Sequence, residues 1–299
     1  MNNVSRRYTI VLAFLTLYLV WGSTYLAIRV GVHDLPPALF AGVRFVISGL
    51  LLYAIACRFG QTLPRTFREW WLMAVMGILL LAGGNGLVVA GEQWVPSNQA
   101  ALLVATTALW LAVLGTLGAK GEALSRYTHV GLGVGFAGAA LLLLPHDLSF
   151  SFSHLGGQLL ILLAALLWSI GSIYGKRQSP TTPPLMSAAM QMLIGGLFLC
   201  VIGWLLGEPA AWVWTWRGMG ALSYLIAFGS LGFAAYIWLL HTVTPAQLGT
   251  YAYINPAVAV LLGGWLLDET LSGTQLSGMA IILLGVLTVS LSTGWKQRG

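Results

Sequence analysis

Pro36-Pro37-Ala38-Leu39-Phe40-Ala41-Gly42-Val43-Arg44 and Pro183-Pro184-Leu185-Met186-Ser187-Ala188-Ala189-Met190-Gln191 stand 147 residues apart, each a double proline opening an apolar run. Working outward, the same spacing joins Trp21 to Trp168, Glu122 to Glu269, Gly131 to Gly278 and Gly138 to Gly285, and it slips to 149 between Pro96 and Pro245. A single Gly or Pro coincidence carries little. An ordered series across the whole chain argues for an internal duplication.

The runs between these landmarks are membrane-like. Of 299 residues, 58% are hydrophobic and 7% charged, with a mean hydropathy of +0.85, whereas soluble domains carry roughly 25% charged residues. This excludes an ordinary water-soluble protein. Apolar runs broken by Pro, Gly or charge fall near 8–30, 37–57, 70–91, 99–119, 128–145, 157–177, 185–206, 218–241, 247–267 and 274–293, each close to the length that crosses a bilayer core. The fifth is the shortest, short enough that eight or nine spans stand as the alternative. The expected fold is an all-α membrane protein of about ten transmembrane helices, with one five-helix repeat over residues 1–145 and another over 151–299.

An odd number of spans per copy forces the second copy into the membrane upside down. With the N-terminus cytoplasmic, inside segments hold Arg6, Arg7, Arg58, Arg65, Arg68, Lys120, Arg126, Lys176, Arg177, Lys296 and Arg298, eleven of the 14 basic residues. Outside loops hold Asp34, Glu92, Asp147, Glu208, Asp268 and Glu269. That asymmetry meets the positive-inside rule. The expected location is the bacterial inner membrane, with both termini cytoplasmic. The pI near 9.6 thus reports orientation; no basic stripe calls for nucleic acid.

Several motifs are discounted. Ser5-Arg6-Arg7 imitates a twin-arginine signal but lacks a cleavage site and a soluble cargo domain. Gly133-Val134-Gly135-Phe136-Ala137-Gly138 matches the dinucleotide pattern without a βαβ unit, and reads better as a small-residue packing face with Gly131. Cys57 and Cys200 have no metal or disulfide spacing. Neither a phosphate loop nor a catalytic triad is evident, so no cofactor and no enzymatic activity are expected, and transport energy would come from gradients. Deep carboxylates for proton coupling are missing, with Glu92 at the outer end of span three the exception.

Arg44 is the one cation well inside a span, about seven residues or ~11 Å from its outer end. Either it faces a central cavity and receives a substrate carboxylate, or it snorkels to the outer headgroups. Asn85 in Gly83-Gly84-Asn85-Gly86, and Asn255 beside Pro256 in span nine, either present polar atoms to a pathway or bridge neighbouring helices. Trp21, Trp110, Trp168, Tyr251 and Tyr253 lie inside their runs, where they either line a pocket or pack. Trp70, Trp71, Trp94, Trp212, Trp214, Trp216 and Trp295 lie at run ends as an interfacial belt. Thr106 in span four and Gln191, the repeat counterpart of Arg44, complete the expected substrate-binding set.

Trp21-Gly22-Ser23-Thr24-Tyr25, the Pro36-Pro37 to Arg44 stretch, Gly84-Asn85-Gly86, and Tyr251-Ala252-Tyr253-Ile254-Asn255-Pro256 through Glu269-Thr270-Leu271 resemble the EamA family of bacterial exporters in the drug/metabolite transporter superfamily. The resemblance covers essentially the whole chain. It implies a basket-like carrier whose cavity lies between the first four helices of each half, with peripheral fifth helices available for homodimer contacts. It also implies substrates among amino acids, aromatic ones included, purines, drugs and other metabolites. One departure is that the family often has a proline in its fourth helix where this chain reads Thr106-Thr107-Ala108-Leu109, so the two halves are expected to bend unequally. The leading reading is an ATP-independent, alternating-access exporter of amino-acid-like molecules in contact with membrane lipids. Alternatives are an exporter of drugs or purines, an intramembrane enzyme on lipid-linked substrates, and a membrane scaffold.

Overall fold

The computed structural model describes residues 3–117, 126–143, 152–178, 181–243, 248 and 251–295. Lys120, Glu122, Asp147, Pro245, Lys296 and Arg298, used in the charge and repeat readings, lie outside the described residues, as do the side chains of Arg6, Tyr253 and Trp295. Among the described residues there are ten helical rods and no strand. They are α1 (Asn3–Gly31), α2 (Pro37–Arg58), α3 (Phe67–Gly91), α4 (Ser97–Gly115), α5 (Arg126–Leu143), α6 (Phe152–Gln178), α7 (Pro184–Leu205), α8 (Trp216–Thr242), α9 (Tyr251–Leu267) and α10 (Gly273–Trp295). Seven of these, α1 to α4 and α6 to α8, are long and apolar enough to cross a membrane, and shorter apolar stretches occupy Ile254–Leu267 and Gly273–Thr288.

Helix starts follow local chemistry, and they match across the 147- to 149-residue spacing. Pro37 and Pro184 each occupy the first turn of their helix, where the missing N–H costs nothing. Thr66 caps α3 by accepting from Glu69 N, while the Glu69 carboxylate accepts from Thr66 N. Thr215 caps α8 by accepting from Gly218 N. Both caps satisfy first-turn donors that the helix itself cannot. Past the ends of α2 and α7, Gly60 and Gly207 turn the chain with φ of +68° and +74°, a conformation that glycine adopts without strain.

A longer-range pair matches too. The Glu208 carboxylate accepts from Ala38 N at 3.1 Å and Leu39 N at 2.7 Å, covering the start of α2, while Gln61 Oε1 accepts from Met186 N at 2.9 Å at the start of α7. Glu208→Ala would leave two orphaned donors beside a buried cap. We expect it to destabilise the detergent-solubilised protein by about 2 kcal/mol in thermal unfolding, with Glu208→Gln losing less because one acceptor oxygen remains.

Helix packing is crossed: α1 lies on α8 and α9, while α6 lies on α3 and α4. Two further contacts join α2 to α7 and α5 to α10. The α5/α10 seam is built from the glycines of the 147-residue series. A Cβ on Gly138 would sit 2.9 Å from Gly278 O, and one on Gly285 would sit 2.7 Å from Gly131 O. The backbones therefore touch, as small-residue faces in membranes allow.

Two wide-turn segments interrupt the regular winding: a π-helical stretch over Gly77–Gly86 in α3 and a shorter one over Leu225–Gly229 in α8. Such turns gather at functional sites because they re-aim side chains without ending the helix. The fourth helix bends unequally with the ninth, in the opposite sense to a proline argument. α4 changes course at Ala105–Thr106 without any proline, whereas α9 continues through Pro256. The cause lies in the Thr106 hydroxyl, which donates to Leu103 O at 2.7 Å and competes for a carbonyl of the helical ladder.

Candidate functional site

A cavity opens between α1, α2, α3, α4, α6, α8 and α9. Five of the nine expected site residues line it: Trp21, Arg44, Asn85, Trp168 and Tyr251. The α3 glycines and the π segment account for two of them, Trp168 and Asn85. Gly83 and Gly84 let α3 lie against α6, since a Cβ on either would come within 2.8 Å of Leu167 or Trp168. The π winding then turns Asn85 toward α2.

Arg44 is 3% exposed. It does not reach the surface, so the cavity-facing alternative describes it and the snorkelling one does not. Its Nη2 donates to Asn85 Oδ1 at 2.9 Å, its guanidinium carbon lies 4.4 Å from the Phe45 ring centroid, and its Nε has no partner among the described residues. No carboxylate stands within ion-pair distance of it among the described residues. A buried cation held by one neutral hydrogen bond and the Phe40 and Phe45 rings is under-compensated, and an anion entering the cavity would supply the missing partner.

The cavity is bounded by interlocked aromatics. Trp21 and Trp168, 147 residues apart in sequence, meet edge to face with centroids 5.3 Å apart. Tyr251 stands edge-on to Trp21 at 5.5 Å. The wholly buried Tyr236 packs on Trp21 at 5.1 Å, and its hydroxyl accepts from Trp168 Nε1 at 3.0 Å and pairs with Ser172 Oγ at 2.7 Å. We expect Tyr236→Phe to lower stability by about 1 to 3 kcal/mol in thermal unfolding, because it strands the buried indole N–H. Trp168→Phe with Tyr236→Phe should recover part of that loss, since the orphaned donor is gone.

The other four expected residues lie outside the cavity lining. Thr106 forms the α4 bend. Trp110 packs edge-on against Phe136 of α5 at 4.8 Å. Gln191 Nε2 donates to Ser187 Oγ at 2.8 Å and reaches the sulfurs of Met73 and Met76, tying α7 to α3. The amide of Asn255, oriented to satisfy its neighbours, donates to Tyr18 O and Tyr251 O at 3.3 Å, which makes it a bridge between α1 and α9. Conversely, Thr24, Tyr25, Phe45, Thr107 and Phe233 line the cavity without having been singled out. A signal for Tyr25 was present in sequence: Trp21, Tyr25 and Ile28 form an i, i+4, i+7 stripe on one face of α1.

At the end of the bundle that the charge pattern places outside, a second hollow is lined by Arg29, His33, Gln93, Arg217 and Glu269. The Glu269 carboxylate accepts from Ser97 N, Ser97 Oγ and Asn98 N, covering the start of α4. Asp34 accepts from Thr215 Oγ1 at 2.5 Å and meets His33 Nδ1 at 2.7 Å, and these hydrogen bonds hold its carboxyl below the usual carboxylate range.

Apolar helices around a buried cation and an aromatic-walled cavity define a polytopic membrane protein with a polar group in its interior. The EamA-like transporter family profile matches the chain twice, over residues 8–144 and 155–291. The inner membrane transporter YedA of Escherichia coli K12 is 40% identical over 282 residues, covering 93% of this chain and 90% of that one. The transporter YoaV of Bacillus subtilis is 26% identical, covering 93% and 95% respectively. A solved crystal structure superposes with a TM-score of 0.70 over 95% of this chain and 97% of that one at 24% identity, a likeness of fold. The chain belongs to the EamA-like transporter family and is a membrane transporter.

Proposed function

We propose that the chain exports amino-acid-like metabolites across the bacterial inner membrane by alternating access, without ATP, using two inverted five-helix halves, 1–145 and 151–299. The matched caps, the paired Gly60 and Gly207 turns, the reciprocal glycine contacts of α5 and α10 and the crossed packing of α1 and α6 support the inverted arrangement. YedA's description as an inner membrane transporter supports the location. In such a carrier the solute pathway runs between the halves, where this cavity lies.

One observation carries the substrate reading: Arg44 is buried, faces the cavity and has no carboxylate partner among the described residues. A guanidinium is shaped to receive a carboxylate through two parallel N–H bonds. Trp21, Trp168 and Tyr251 offer ring faces to an apolar or aromatic side chain, and to a cationic group. Asn85 holds the guanidinium in the cavity. The same rings would accommodate a purine or a flat drug, which lacks the anion that Arg44 calls for.

The test is counterflow in proteoliposomes holding the purified chain. Vesicles preloaded with a mixture of proteinogenic amino acids should accumulate at least one labelled amino acid faster than empty vesicles. If none is carried while adenine or a planar cationic dye is, the amino-acid assignment fails and the purine and drug reading replaces it.

A further inference from the structure

Glu92, the residue that follows α3, is wholly buried, and neither of its carboxylate oxygens has a hydrogen-bond partner among the described residues. It lines neither hollow. Val88, one turn earlier, lines the central cavity, and Gln93, the next residue, lines the outer one. Glu92 therefore sits in the partition between them. The charged and titratable groups whose fields reach it are Tyr25 and Arg29 of α1, Arg44 of α2, and Glu269 from the segment between α9 and α10. The Arg29 guanidinium donates to the backbone carbonyls of Glu92 and Gln93, and leaves the carboxylate itself without a hydrogen bond. On the α6 side the titratable group at this corner is His154, whose ring nitrogen meets Trp94 O at 3.0 Å.

A carboxylate in this position is balanced between two opposing influences. Burial, reinforced by Glu269, holds its carboxyl well above the usual carboxylate range, while Arg29 and Arg44 pull the other way. Anything that cancels the field of Arg44 tips that balance toward the protonated form. A substrate carboxylate seated on Arg44 does so.

We propose that Glu92 is a proton-binding site linked to Arg44, at which a proton is taken up when a carboxylate binds the arginine and given back when the carboxylate leaves. Linkage of this kind is reciprocal, so a proton on Glu92 equally strengthens carboxylate binding at Arg44. A metabolite leaving the cell down its own gradient then carries a proton outward with it, and the buried pair is never left with an uncompensated change of charge. The linkage rests on the reading of Arg44 as a carboxylate receiver.

The test follows the protonated-carboxyl stretch in the infrared during pH titration of the full chain in detergent, for the parent, Glu92→Gln and Arg44→Gln. The expected result is a carboxyl band titrating above the usual glutamate range that disappears in Glu92→Gln. In Arg44→Gln its midpoint should move upward by about tenfold in proton affinity, as the loss of one nearby buried cation implies. A mixture of proteinogenic amino acids should move the parent's midpoint in the same direction. A band that persists in Glu92→Gln, or a midpoint that Arg44→Gln leaves in place, overturns the proposal. If Arg44→Gln does not fold, the amino acid shift in the parent decides. If Arg44→Gln shifts the midpoint but amino acids do not, the linkage stands and the amino-acid assignment of the cavity falls.

Discussion

Arg44→Met should abolish amino acid counterflow and raise the thermal unfolding temperature. The two effects have one cause. Holding a guanidinium away from water with one hydrogen bond to Asn85 and a ring contact to Phe45 costs the resting protein free energy. A methionine of similar length fills the same space without that cost. Replacing whole buried ion pairs by apolar side chains of similar volume is neutral or stabilising by about 1 to 4 kcal/mol; here Glu92 stays behind and takes up a proton, and the Asn85 amide left behind subtracts about 1 kcal/mol. Loss of the charge-assisted contact should weaken binding by about 2 to 5 kcal/mol, at least thirtyfold. Scanning fluorimetry and counterflow on the same preparation check both. A variant that unfolds earlier and transports at the parent's rate would mark Arg44 as a packing residue.

Gly285→Leu should have the largest effect on folding. A Cβ at Gly285 would lie 2.4 Å from Gly135 N, 2.5 Å from Gly135 Cα and 2.7 Å from Gly131 O, all backbone atoms that no rotamer change can clear. α5 and α10 would have to separate along their length, losing the packing on which helix association in lipid depends. The expected cost is above about 3 kcal/mol, enough to deplete the monodisperse peak on size exclusion. Gly133→Leu is the internal control. It lies on the same α5, nothing approaches within 4 Å of its Cβ position, and its elution should match the parent's.

The contrast between these two glycines indicates what the sequence could and could not disclose. Spacing picked out Gly138 and Gly285 as equivalent, and each touches the other's helix. Trp21 and Trp168 were likewise equivalent on spacing and meet ring to ring. Equivalence did less well for the site. Gln191 was expected beside the substrate because it matches Arg44, yet in the proposed inverted arrangement equivalent residues would sit at opposite depths. The cavity takes Arg44 into its lining, while Gln191 bonds with Ser187. Asn255 and Trp110 were polar or aromatic at the right depth, but which way they faced depended on α1 and α5, to which no local pattern pointed. Nor did any local pattern announce the π winding that aims Asn85, although Gly83-Gly84-Asn85-Gly86 marked the place.

The crossed contacts of α1 also set a schedule for synthesis. α1 ends at Gly31, and α9, one of the two helices it rests on, begins at Tyr251, some 220 residues later. At roughly 5 to 20 residues per second of translation, the first helix spends on the order of ten seconds or longer in lipid before α9 exists. Its hydroxyls are provisioned for that interval: Ser23 Oγ donates to Leu19 O and Val20 O, and Thr24 Oγ1 to Trp21 O, all within α1 itself. The segment can therefore wait in the bilayer with those donors satisfied until the ribosome delivers the surface that Trp21 will occupy.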